Sequence, residues 1–338
     1  YKALVNGKSC SLMSNKFKDG IKSIPANSVT DIEVITNPSS RYEAEGVGGI
    51  INIITARNTN NGYTGSVGLN ADTRGGYGAN AYIAATINKF SFSTHLYHNQ
   101  FRQPETEYSS EQTNYESDEF RFSNTNGKNK GKRGGNSLNF EAGYEIDTFN
   151  LISASAWGYL GNYRGDSYSE TQEYNINNTL SRHNQNTMYN KNTFGYLSGN
   201  IDYQRSFPKK DKTFTASYKI EYNPADTKSD SDIKGLLNYS SYHQKSDNEA
   251  SGQTHTVQVD FFDPITENHQ LETGIKGIFR RNSSETDRFI LDSLDQWKED
   301  LSRVNDLDYN QYIVGAYAGY LFKYKKTSIK IGGRLEYT

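Results

Sequence analysis

Residues 213–222 read TFTASYKIEY, and the fold turns on their alternation. In an extended strand Phe214, Ala216, Tyr218, Ile220 and Tyr222 share one face, and Thr213, Thr215, Ser217, Lys219 and Glu221 share the other. Period two marks a strand with two different neighbours. The pattern recurs in both directions. Upstream, Leu138, Phe140, Ala142, Tyr144 and Ile146 oppose Asn139, Glu141, Glu145 and Asp147, and Tyr63, Gly65, Val67, Leu69 and Ala71 oppose Thr64, Ser66, Asn70 and Asp72. Downstream, Ile329, Ile331, Leu335 and Tyr337 oppose Ser328, Lys330, Arg334 and Glu336. Looser versions near 77–87, 90–101, 149–161, 194–206, 254–262, 269–281 and 311–323 bring the total to about eleven strands.

Composition sharpens this reading. Only 34% of the 338 residues are hydrophobic and the mean hydropathy is -0.84, a polarity that leans toward disorder. Yet the chain holds 26 Tyr and 16 Phe, residues that strands favour. Strands needing only one apolar face reconcile the two. A net charge of -2 offers nucleic acid no attraction, so no nucleic-acid partner is expected. Cys10 is the single cysteine, which excludes an internal disulfide and a cysteine-based metal site. His95 and His98 fall on opposite faces of a strand, so no metal and no cofactor is expected. No nucleophile elbow or poised carboxylate pair marks an enzyme.

The strands run to roughly 9–13 residues, the length of tilted strands crossing a bilayer. Tyr63, Phe149, Phe214, Tyr222, Tyr312 and Phe322 sit at strand ends on the apolar face, where an interfacial girdle belongs. Short links near 88–89, 147–148, 207–212, 263–268 and 324–326 alternate with long ones near 102–135, 162–193, 223–253 and 282–310. That rhythm fits the short periplasmic turns and long extracellular loops of an outer-membrane barrel. Eleven strands also exceed the roughly eight that side chains alone can fill. The reading is an all-β transmembrane antiparallel barrel, wide and wet inside, seen in part.

Residues 1–61 differ. Ile24-Pro25-Ala26-Asn27-Ser28-Val29 leads into a strand, Asp31-Ile32-Glu33-Val34-Ile35. A turn at Asn37-Pro38-Ser39-Ser40 and the stretch Arg41-Tyr42-Glu43-Ala44-Glu45-Gly46-Val47-Gly48-Gly49 precede an apolar strand, Ile50-Ile51-Asn52-Ile53-Ile54. The glycines precede a strand, not a helix, and no lysine follows them, which argues against nucleotide binding.

These residues closely resemble the C-terminal part of the plug domain of TonB-dependent receptors, particularly the Bacteroidetes branch with an outer-membrane β-barrel module. Leu4-Val5-Asn6-Gly7-Lys8 is similar to the plug's LVDGK segment. Matched positions include Pro25, Glu33, Val34, Asn37, Pro38, Tyr42, Gly46, Gly48, Gly49 and Asn52, which the resemblance assigns to plug structure. It implies 1–58 as the end of an α/β plug and 62–338 as the first half of a barrel of about 22 strands. It further implies the bacterial outer membrane and TonB-dependent uptake of a scarce nutrient: a siderophore, cobalamin, oligosaccharide or peptide. The implied partners are the TonB complex, reached through an N-terminal segment expected to be missing from this chain, outer-membrane lipid and lipopolysaccharide, and a possible surface lipoprotein. A non-transporting scaffold barrel and a soluble surface adhesin or glycan-binding protein are the alternatives.

The loop aromatics Tyr108, Tyr115, Tyr163 and Tyr168 are the candidate substrate contacts, because ring faces beside amides suit sugars and planar ligands. The competing expectation is loop-on-loop packing. The run Lys128, Lys130, Lys132 and Arg133 reads as a solvated tip in preference to a contact with lipopolysaccharide phosphates. Asp230 and Asp232 with Ser229 and Ser231 lack the spacing of a calcium loop. Leu291, Leu294, Trp297 and Leu301 fit a short helix within 286–306.

Overall fold

A computed structural model describes residues 2–5, 8–9, 29–35, 50–55, 61–209, 211–302, 304–325 and 327–338. Four short strands form one sheet: β1 (Lys2–Val5), β2 (Lys8–Ser9), β3 (Val29–Ile35) and β4 (Ile50–Thr55), in the order β2-β1-β4-β3. β4 runs parallel to β1 and antiparallel to β3. No helix occurs among the described residues.

The rest is a single antiparallel meander. It comprises β5 (Gly62–Ala71), β6 (Tyr77–Ile87), β7 (Phe90–Thr113), β8 (Phe122–Glu145), β9 (Asn150–Tyr174), β10 (Leu180–Ser206), β11 (Thr213–Leu237), β12 (Tyr242–Thr266), β13 (His269–Leu291), β15 (Asn305–Tyr324) and β16 (Thr327–Tyr337). Each pairs with the next in the chain, and a short β14 (Trp297–Glu299) adds to β13. These are the eleven strands that the alternation predicts.

Their length is the main departure from expectation. β7 to β13 have 23 to 27 residues each, against the roughly 9–11 that cross a bilayer. The segments 102–135, 162–193, 223–253 and 282–310 are therefore largely paired hairpins, not irregular loops. In the first of them pairing continues to Thr113 opposite Phe122, leaving only 114–121 as the connection. Once ladders have started, continuing them satisfies every backbone N–H and C=O, so pairing persists after the apolar belt ends. Pro104, which cannot donate to a ladder, falls in the register shift between Gln103 and Thr106. The 286–306 helix is also absent: Trp297 lies in β14, its ring 4.9 Å from His243 and 4.1 Å from the Lys245 ammonium.

Carboxylates and amides close the turns. Asp72 accepts the N–H groups of Arg74 (2.8 Å) and Gly76 (3.0 Å), with Gly75 between them at φ 84°, where a side chain would be strained. Asp147, Asn175 and Asp292 cap their turns in the same way.

The two faces of the sheet differ as the alternation predicts. One is apolar and exposed, with Val67 at 81%, Ile201 at 57% and Leu335 at 82%. There is no sandwich core: among the described residues only Ile233, Ile278 and Tyr317 are buried hydrophobics. The opposite face is polar and internally bonded. Asp260 accepts from Tyr317 and, at 3.0 Å, from Gln258; Lys219 donates to Glu221 at 2.7 Å. An apolar face without a covering layer requires lipid, and a bonded polar face opposite it belongs to a lumen.

Candidate functional site

The inner, polar-parity face carries an aromatic column that rises out of the belt. On β9, Trp157, Tyr159 and Tyr163 share this face; β10 contributes Phe194 and Tyr196. The Trp157 and Tyr196 rings lie 5.0 Å apart, and those of Tyr159 and Phe194 lie 6.0 Å apart. Tyr196 donates to Glu221, which Lys219 also holds.

Glycines on β8 and on β9 itself make room for the rings. A Cβ at Gly135 would stand 2.6 Å from the Tyr159 hydroxyl, and one at Gly165 would stand 2.2 Å from that of Tyr163. The rings thus lie down against the sheet over these glycines. Asn192 is directly opposite Tyr163 on β10, and Arg133 is opposite it on β8. The Asn192 Oδ1 accepts no hydrogen bond although it is buried. The column therefore offers apolar ring faces, a free acceptor and a cation within one width of three strands.

The four sequence-predicted contacts separate. Tyr163 belongs to the column. Tyr108 is on the same face over Gly127, but the pairing Tyr108–Gly127–Ser169 puts it six residues beyond Tyr163 along β9, about 20 Å. Tyr168 is on the outer face, its hydroxyl 3.5 Å from Glu170; partial desolvation and that carboxylate raise its pKa. Tyr115 is in the 114–121 connection, 84% exposed, with the Arg121 guanidinium 5.7 Å from its ring centre. Loop packing is visible at the tips: the Arg182 guanidinium lies 3.8 Å from the Phe120 ring centre and 5.6 Å from that of Tyr239.

Sequence reading missed Trp157, Tyr159, Phe194 and Tyr196. Their signal was parity: Trp157 and Tyr159 continue the face that carries Ser153 and Ser155 on β9. Of the plug residues, Glu33 of β3 pairs with Asn52 of β4. Pro25, Asn37, Pro38, Tyr42, Gly46, Gly48 and Gly49 lie outside the described residues. The basic run is not a tip. Lys128, Lys130 and Lys132 point outward from β8 while Arg133 points inward. Asp230 and Asp232 likewise face away from Ser231, which donates inward to Asn186 at 2.8 Å. Asp230 instead meets His243 and Lys245. No group of three or more candidate metal ligands occurs among the described residues. A hollow of about 800 Å³ lies against the apolar face, lined by residues of β5 to β11 that include Leu96, Leu138, Leu160 and Leu197.

An exposed apolar belt, strands of membrane-crossing register and a bonded polar inner face define part of a bacterial outer-membrane β-barrel. Residues 205–338 match the model of the outer membrane protein beta-barrel family. No curated protein matches the chain. Among solved structures it is similar to the siderophore receptor PiuA from Acinetobacter baumannii, at 12% identity and a TM-score of 0.41, covering 98% of this chain and 56% of that one. It is also similar to the ferric yersiniabactin uptake receptor FyuA from Yersinia pestis, at 12% identity and a TM-score of 0.36, covering 95% and 53%. The chain spans about half the length of these structures.

Proposed function

We propose that this chain is wall and plug end of a TonB-dependent receptor that imports a scarce nutrient across the outer membrane, with the aromatic column as part of the path. The observation that carries this reading is the column itself. A barrel wall that only spans the membrane needs no cluster of aromatic ring faces on its lumenal side. Trp157, Tyr159, Tyr163 and Phe194 with Asn192 and Arg133 suit a ligand with flat or ring faces, hydrogen-bond donors and an anionic group. Glycosides and metal chelates carried by ring-bearing siderophores meet that description. The plug-like sequence at residues 24–55 supports energised release, since a plug within a barrel needs the TonB complex to move it.

The test is accumulation by cells expressing the full-length protein, with and without a working TonB system, offered iron chelates, cobalamin, glycans and peptides. TonB-dependent uptake of one class, reduced in Tyr163→Ala and Asn192→Ala, supports the reading. Correct insertion without uptake of any class would move the assignment to a scaffold barrel.

A further inference from the structure

The outer face of the projecting hairpins carries a cationic rung that the uptake reading does not use. Register places Arg102 of β7 opposite Lys132 of β8, Lys132 opposite Arg164 of β9, and Arg164 opposite Lys191 of β10. Lys191 in turn faces Lys228 of β11. Five cations thus stand side by side across five adjacent strands, a span of about 19 Å. Like charges directly opposite one another oppose pairing, so such a row is unfavourable unless an anion covers it.

The neighbouring rungs show that the row is not merely part of a charged surface. Two residues farther out, Lys130 meets Asp166 at 3.7 Å and Asp230 meets Lys245 at 3.6 Å. Lys128, beyond them, meets Glu105 and Glu107, and this pairing raises its pKa. Lys228 at the end of the row meets Asp247 at 2.5 Å. Arg102, Lys132, Arg164 and Lys191 have no carboxylate partner among the described residues. Two residues nearer the membrane, Gln100, Gly134, Asn162 and Thr193 carry no charge, and the first carboxylate of that rung is Asp226 of β11, opposite Thr193.

Depth supplies the second observation. The apolar face of β9 ends at Leu160, four residues below Arg164, or about 13 Å along the strand. With a strand tilt of about 45° the rung stands about 9 Å above the hydrocarbon, at the level of lipid headgroups. The hairpin side is the extracellular side, so those headgroups belong to the outer leaflet.

We propose that Arg102, Lys132, Arg164 and Lys191 bind the phosphate groups of outer-leaflet lipopolysaccharide and fix it against this sector of the wall. Two guanidiniums can each grip a phosphate in two-point fashion, while two ammoniums add charge without fixed geometry. The proposal rests on the outer-membrane location and not on uptake.

Detergent-purified full-length protein would be titrated with bisphosphorylated lipid A and with the same lipid after phosphatase treatment, and bound lipid counted by native mass spectrometry. The wild type should retain the bisphosphorylated form at least about tenfold more tightly. R102Q/K132Q/R164Q/K191Q should lose that preference, while K128Q/K130Q, whose cations are already paired, should keep it. Equal retention of phosphorylated and dephosphorylated lipid by the wild type would overturn the proposal even if the fourfold variant failed to fold. So would unchanged preference in the folded fourfold variant, or an equal loss in the paired-cation control. An acidic soluble peptide that displaced lipid A from the wild type would assign the rung to a protein partner instead.

Discussion

The same strands live in two solvents, and β10 shows what changes between them. In its membrane half the outward residues are Leu197, Gly199, Ile201 and Tyr203; in its projecting half they are Gln185, Thr187, Tyr189 and Lys191. Backbone pairing runs on from one half to the other without a break in kind. The outer face thus records which solvent touches it, while the ladder is indifferent. On the inner face no such break occurs: Asp202, Asn200, Tyr196, Asn192 and Asn190 keep a wet surface along the whole height. A wall that alters one face at the bilayer edge and leaves the other unaltered is built around a continuous aqueous interior.

The largest effect should come from making the membrane half carry a charge. Ile201, 57% exposed on the apolar face, should cost about 2–4 kcal/mol when replaced by Arg, because the guanidinium must enter hydrocarbon. Tyr189→Arg, on the same face of the same strand outside the belt, should stay within about 0.5 kcal/mol. Urea unfolding midpoints of the full-length protein in lipid vesicles decide the matter. Equal costs at both positions would break the two-solvent comparison.

That contrast also explains what was legible in the sequence. Alternation at 213–222 and 138–146 is visible because lipid forces every second residue to be apolar. Residues 184–192 show no such signal, since both faces of a projecting hairpin meet water, and the same segment therefore read as loop. The rung of Arg102, Lys132, Arg164 and Lys191 was hidden for another reason. Its members are about thirty residues apart in sequence, and only the register of four strands brings them abreast. Trp157 escaped notice because an aromatic at a lumenal position looks like an error in the period.

Within the inner face, the next effect concerns Asp260. It is buried at 8% exposure and accepts from Tyr317 and Gln258. Asp260→Ala leaves those donors without it and should cost about 1–3 kcal/mol in the same urea measurement. A neutral result would mean that lumen water replaces the carboxylate, and that the inner face is wetter than its bonding suggests. Gly165→Ala should cost less, about 0.5–1.5 kcal/mol, by driving the Tyr163 ring off its rotamer. Its clearer readout is uptake: a ring face displaced from the column should lower ligand accumulation more than stability. Unchanged uptake would remove Tyr163 from the path.

The smallest effect lies at a hairpin tip, beyond the membrane half. Asp292 closes the turn after β13, accepting the N–H groups of Leu294 at 2.8 Å and Gln296 at 2.9 Å, with the Lys298 ammonium at 2.7 Å. Lys298 first, then the two N–H groups, lower its pKa from 3.8 to about 2. A lowered folded value means that the ionised form favours the closed turn. Closure is therefore fully supported above pH 3.8 and weakens as the pH falls toward about 2; nothing should change between pH 5 and 7. Hydrogen exchange at Leu294 and Gln296, corrected for intrinsic rates, should show protection falling across that acidic window. Asp292→Ala should abolish the protection and its pH dependence together, with no shift in the urea midpoint of the barrel. Protection that persisted in the variant would show that the tip is held by β14 on β13 and not by its carboxylate. The projecting hairpins would then owe their order to the same ladders as the membrane half.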